Sequence, residues 1–156
     1  RDWVFVTDAW TNNFAKVSPT ALRLWARLLS EVPDARLLIK AKGLSETDFA
    51  DRVRADFASA GGDIARLLLQ DQVLQFESHL AHYAEVDIAL DSMPYCGTTT
   101  TCEALWMGVP VVTLAGEVHA ARVGASLLAR VGHPEWTATD PDAYIRTAVA
   151  LSRDPE

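Results

Sequence analysis

Residues 86–114 read VDIALDSMPYCGTTTTCEALWMGVPVVTL, and the fold turns on how this stretch is divided. Val86 to Leu90 is a short run, apolar but for Asp87, as expected of a strand covered on both faces. The loop DSMPYCG follows, then TTTTCEALWMG reads as a helix and VPVVTLA as another strand. Two buried strands joined through a helix form a parallel βαβ unit. The start of that helix is unusual. Threonine is a poor helix former because its β-branched side chain loses χ1 freedom against the preceding turn, yet four stand in a row from Thr98 to Thr101.

The same alternation extends outward in both directions. WVFVT (Trp3 to Thr7) is a strand, and DAWTNNFAKV after it is a loop with the Asn pair of turn chemistry. SPTALRLWARLLSEV opens a helix with Ser18 as N-cap and Pro19 at its first position, and Leu22, Trp25, Leu28 and Leu29 make one apolar face. ARLLIKA (Ala35 to Ala41) is a second buried strand; SETDFADRVRADFASAG is a helix with Ser45 as cap and Gly61 as terminator. ARLLLQ is a weaker third strand, and SHLAHYAEV a short helix carrying His79, His82 and Tyr83. Beyond the opening stretch, EVHAARVGASLLARVG is a helix, and DPDAYIRTAVALSR is another, capped by Asp140 with Pro141 at its first position. Strands alternating with helices predict an α/β fold, a doubly wound, Rossmann-like parallel sheet. In such sheets ligands bind beyond the carboxyl ends of the strands, so the loops Asp8 to Val17, Asp91 to Thr98 and Ala115 to His119 are the places to look.

The bulk numbers narrow the function classes. With 156 residues, 49% hydrophobic and 22% charged, the chain has the composition of one globular domain with a sizeable core. A formal net charge of -7 argues against non-specific binding to nucleic acid or an anionic membrane. Cys96 and Cys102 do not form a CxxC pair and are too few for a disulfide framework, which fits a reducing cytoplasm. No apolar run is long enough to span a bilayer. The strand pattern begins at once in RDWVFVTD and ALSRDPE ends within a helical pattern, as expected of a piece of a longer chain.

The threonine run supports two readings. A glycine at 97, free to take positive φ, would bring backbone close to a ligand, and N–H groups at the helix start, backed by the positive end of its dipole, would form an anion site. Threonine hydroxyls would add donors for a phosphate or diphosphate. Neither GxxxxGK[ST] nor GxGxxG is present. Alternatively, Thr100 and Glu103 form a capping box, which accounts for one threonine and leaves Thr98, Thr99 and Thr101 without a role. Glu103, about one turn in, is placed to accept bonds from sugar hydroxyls of a nucleotide whose phosphates sit on the helix start. The His79/His82 spacing also admits a metal pair, although nothing nearby supplies further ligands.

PYCGTTTTCEALWMGVPVVTLAGEVHAARVGASLL (Pro94 to Leu128) closely resembles the C-terminal lobe of the bacterial relatives of O-linked N-acetylglucosamine transferase, and NNFAKVSP (Asn12 to Pro19) resembles that family's motif after its first strand. The resemblance, to the O-GlcNAc transferase/SPINDLY-like glycosyltransferases, covers nearly the whole chain. It implies the C-terminal half of an inverting GT-B glycosyltransferase, with residues 1–156 as its nucleotide-sugar-binding lobe and an N-terminal lobe and tetratricopeptide repeats lying upstream. The implied reaction transfers N-acetylglucosamine from UDP-GlcNAc to Ser/Thr hydroxyls of a protein. By resemblance, Lys16 meets the donor diphosphate with Thr98, Thr99 and Thr100. Glu103 holds the ribose hydroxyls, His79 packs against the nucleobase, and Asn13 is a polar donor-site position. From its place in the third strand-end loop, His119 either lines the cleft or packs in the loop before the next helix. No catalytic base falls within this lobe, no metal or cofactor is expected beyond the UDP-sugar, and the protein acceptor would be held by the absent N-terminal regions. One departure is Cys96, where bacterial relatives commonly have Asn.

Overall fold

Phe5 and Val6 are neighbours in sequence, yet they are buried in two different hydrophobic clusters. Successive strand residues point to opposite faces, so a strand with both faces buried must be covered by helices on each side. The same division recurs where Leu37 and Ile39, then Ile88 and Leu90, then Val112 face one cluster, while Ala89 and Val111 face the other.

The computed structural model describes residues 3–8, 17–71 and 75–153. Six strands, β1 (Trp3–Asp8), β2 (Ala35–Lys40), β3 (Leu67–Gln70), β4 (Ile88–Leu90), β5 (Val111–Leu114) and β6 (Thr137–Ala138), form one sheet. Their order is β3-β2-β1-β4-β5-β6, and every pairing is parallel. The order reverses between β1 and β4, and such a switch point opens a crevice at the carboxyl ends of the strands. The expected doubly wound α/β sheet is therefore present.

Helices α1 (Pro19–Glu31), α2 (Thr47–Ser59) and α6 (Pro141–Arg153) cover one face. The other carries α3 (Phe76–Ala81), α4 (Thr99–Trp106) and α5 (Val123–Val131). Ser18 caps α1, its hydroxyl accepting from the Ala21 N–H at 3.1 Å, and Leu22, Trp25, Leu28 and Leu29 are all buried. Trp25 is fully buried and its indole N–H donates to Tyr144 Oη at 3.2 Å, joining α1 to α6. Asp140 caps α6 through the Ala143 N–H at 2.7 Å.

The structure corrects three local expectations. Ser45 does not cap α2: the cap position is Glu46, with no side-chain bond, and the Ser45 hydroxyl and N–H instead donate to Asp71 after β3. The run expected as one helix after β5 is a single 3-10 turn, His119–Ala121, followed by α5, which ends at Gly132 in the left-handed conformation. Strand β6 was absent from the sequence reading; two residues are too few to show a period.

Candidate functional site

Asp91 leaves β4 at its carboxyl end and is only 6% exposed. One carboxylate oxygen accepts the Gly97 N–H at 2.7 Å and the other the Thr113 hydroxyl of β5, also at 2.7 Å. Asp91 thereby folds the loop 92–98 back over the strand ends and sets the start of α4. Burial pushes its carboxyl pKa up, with the bonds from Gly97 and Thr113 opposing the shift in part. Burial and the nearby Asp91 also push the Cys96 thiol up, so it adds no negative charge beneath the loop.

The four threonines divide by exposure. Thr98 and Thr99 are exposed, Thr100 is half-buried, and Thr101 is buried. Thr101 Oγ1 donates to the Gly97 carbonyl at 3.1 Å, so it closes the loop onto the helix, a role its sequence position did not suggest. The capping box does not form: the cap residue is Thr98, with no side-chain bond, and Glu103 reaches His79 instead. Among the described residues no side chain satisfies the first-turn N–H groups of α4. These donors, the helix dipole and the accessible hydroxyls of Thr98, Thr99 and Thr100 make a surface suited to an anion.

Gly97 does not have positive φ, contrary to expectation; closeness is what requires it. A Cβ there would lie 2.3 Å from Thr100 Oγ1. The threonine hydroxyl can rotate away but would then leave the anion surface. Gly97→Ala is thus expected to keep the fold while weakening diphosphate binding at this helix start roughly tenfold, checked by calorimetry beside the unaltered chain. Full affinity in a folded variant would remove Thr100 from the site.

Other elements converge on this loop. Ser18 Oγ donates to the Met93 carbonyl at 3.0 Å, tying the start of α1 to it. Lys16 and Asn13 lie outside the described residues. The Cys96 N–H donates to the Ala120 carbonyl at 3.0 Å, which brings the turn bearing exposed His119 alongside.

His79 is 1% exposed, its ring enclosed with Tyr83 packed edge-on at 5.6 Å between centroids. Its Nδ1 lies 2.8 Å from Lys40 Nζ, and its Nε2 lies 2.9 Å from Glu103 Oε2. Both ring nitrogens are thus engaged within the protein, and His82 Nδ1 donates to the Ser78 carbonyl. That geometry removes the basis for a metal pair, and among the described residues no group of three ligating side chains could hold a metal ion. The structure brings Thr98, Thr99, Thr100, Glu103, His79 and the His119 turn to one end of the sheet. Sequence reasoning missed Asp91, Thr113 and Lys40. The signal for Lys40 was a charge directly after the apolar run Leu37 to Ile39.

A SPINDLY protein of Arabidopsis thaliana, described as a probable UDP-N-acetylglucosamine–peptide N-acetylglucosaminyltransferase, is 43% identical over 150 residues, covering 96% of this chain and 16% of its own length. The Caenorhabditis elegans UDP-N-acetylglucosamine–peptide N-acetylglucosaminyltransferase is 32% identical over 147 residues, covering 93% of this chain and 12% of that protein. A point mutant of the Thermobaculum terrenum O-GlcNAc transferase superposes with a TM-score of 0.90 at 39% identity, over 97% of this chain and 28% of that one. The six-stranded parallel sheet is that of one half of a GT-B glycosyltransferase. Because the family model for glycosyl transferase family 41 matches residues 5–156, nearly the whole length, the chain belongs to that family.

Proposed function

We propose that residues 1–156 are the C-terminal, donor-binding lobe of an inverting O-GlcNAc transferase-type enzyme. The whole protein would transfer N-acetylglucosamine from UDP-GlcNAc to Ser/Thr hydroxyls of a protein acceptor. The observation carrying this reading is the uncapped start of α4, with Thr98, Thr99 and Thr100 presented at the switch point of the sheet. A nucleoside diphosphate leaving group gathers negative charge as the glycosidic bond breaks, and fixed N–H dipoles aimed at that charge lower the barrier. Lys16, assigned to the donor diphosphate, would add a full positive charge there, so the reading requires no metal. Glu103 is assigned the ribose hydroxyls and His79, enclosed behind it, the nucleobase end of the site, with Asn13 and His119 assigned to the donor site.

The chain spans a small fraction of its relatives' lengths. A second lobe, the catalytic base and tetratricopeptide repeats that bind the acceptor are proposed to lie N-terminal to it, so the isolated lobe is expected to bind donor without turnover. A cytoplasmic location is part of this reading, in line with the two free thiols; no described helix is long and apolar enough to cross a membrane.

Titrating UDP into the chain tests the site. Thr99→Val and Lys16→Ala are each expected to lose about 1–3 kcal/mol of binding, and unchanged affinity in both would remove the phosphate assignment. The full-length protein, offered UDP-GlcNAc, other UDP-sugars and GDP-sugars with a protein acceptor, should transfer from UDP-GlcNAc. Preference for another donor would reassign the sugar, and failure with every donor would leave a nucleotide-binding scaffold.

A further inference from the structure

Lys40 ends β2 with only 4% of its surface exposed. Burying an ammonium is costly unless it is paired and hydrogen-bonded, and this one points at an imidazole that in turn reaches a carboxylate. We propose that Lys40 is a positioning residue of the donor site: acting through His79, it holds the Glu103 carboxylate in the orientation that accepts the vicinal hydroxyls of the donor's ribose. The proposal rests on the ribose role given to Glu103 above.

Hydrogen-bond chemistry sets the direction of the chain. An ammonium has protons to give and no lone pair. His79 Nδ1 therefore accepts from Lys40, the ring takes the Nε2–H tautomer, and that N–H donates to Glu103 Oε2. In the opposite tautomer the Nε2 lone pair would face the carboxylate at 2.9 Å and push it aside. Three elements are linked in this way: the end of β2, the last turn of α3, and α4 at Glu103, just past the threonines. Glu103 keeps 14% of its side chain exposed, and Oε1 takes no hydrogen bond among the described residues. One oxygen is thus fixed by the protein and the other presented toward a ligand. Tyr83 reinforces the arrangement, its ring packed on His79 and its hydroxyl donating to the Thr100 carbonyl at 3.4 Å.

The first test is the tautomer of His79 in the ligand-free chain, read from its ring nitrogens after 15N-histidine labelling. A non-protonated Nδ1 with a protonated Nε2 is expected, and a protonated Nδ1 with a bare Nε2 overturns the proposal without any variant being made. The second test compares UDP with 2′,3′-dideoxy-UDP in the native chain, Lys40→Met and Glu103→Gln. Methionine keeps the buried stem and removes the donor. The native chain should prefer UDP by roughly tenfold or more, and both variants should lose most of that preference while still binding the dideoxy compound. A Lys40→Met chain that folds and keeps the full preference, while Glu103→Gln loses it, overturns the role of Lys40 and leaves the ribose role of Glu103 standing. Full preference in Glu103→Gln overturns both.

Discussion

Asp91→Ala should destabilise the chain by about 2–4 kcal/mol and abolish measurable UDP binding, because it leaves the Gly97 N–H and the Thr113 hydroxyl without their acceptor. Chemical denaturation and calorimetry on one preparation read both effects. Asp91→Asn separates the charge from the bonds. Its amide oxygen can accept from Gly97, and Thr113 can turn its hydroxyl to accept from the NH2, so the loop keeps its shape. The folded pKa of Asp91 is raised by burial, so between the ordinary carboxyl pKa of about 3.9 and that raised value the folded chain holds a proton that the unfolded chain has released. The contribution of Asp91 is therefore greatest below pH about 4 and falls as pH rises through this window. Asparagine does not titrate. Stability of Asp91→Asn relative to the native chain should rise with pH across the same window. A difference that stays flat, or that falls, would mean the carboxylate is not strained by burial.

Much of the architecture was legible because its determinants are local. Ser18, Pro19 and Asp140 act within one turn of themselves, and the apolar face Leu22, Trp25, Leu28 and Leu29 is a helical period that the core then buries. Local rules failed where a distant partner offered a better bond. Ser45 has the chemistry of a cap, but Asp71, 26 positions away, takes its hydroxyl. Thr100 and Glu103 have the spacing of a capping box, but His79, 24 positions away, takes the carboxylate. In the first case adjacent strand ends, and in the second two helices on one face of the sheet, bring the partner close, and neither adjacency can be read from spacing. The site divides in the same way. The threonine run marked itself by violating helix propensity, whereas Lys40 and Asp91 looked like ordinary charges at strand ends until the fold enclosed them. Thr101 was the residue with no role in the sequence, and its bond to the Gly97 carbonyl accounts for it.

Trp25→Ala tests how far the core and the site are one object. Trp25 is fully buried, and its truncation should cost about 3–5 kcal/mol, the lost burial plus the cavity left between α1 and the sheet. For a domain of this size that corresponds to a melting temperature lower by roughly 6–20 °C. Tyr144 makes the change more than a packing loss. Its hydroxyl accepts from Trp25 at 3.2 Å and donates to the Asp91 backbone carbonyl at 3.4 Å, so the indole is two bonds from the residue that folds the threonine loop. Trp25→Phe separates the two effects, since it keeps most of the apolar volume and removes only the N–H. Tyr144 then still has the Asp91 carbonyl to satisfy its donor, and a small loss of stability, about 1–2 kcal/mol, is expected with UDP affinity nearly intact. If Trp25→Phe instead weakens UDP binding as strongly as Asp91→Ala does, the indole N–H is helping to hold the loop through Tyr144, and the helix on the far face of the sheet belongs to the binding machinery rather than to the scaffold beneath it.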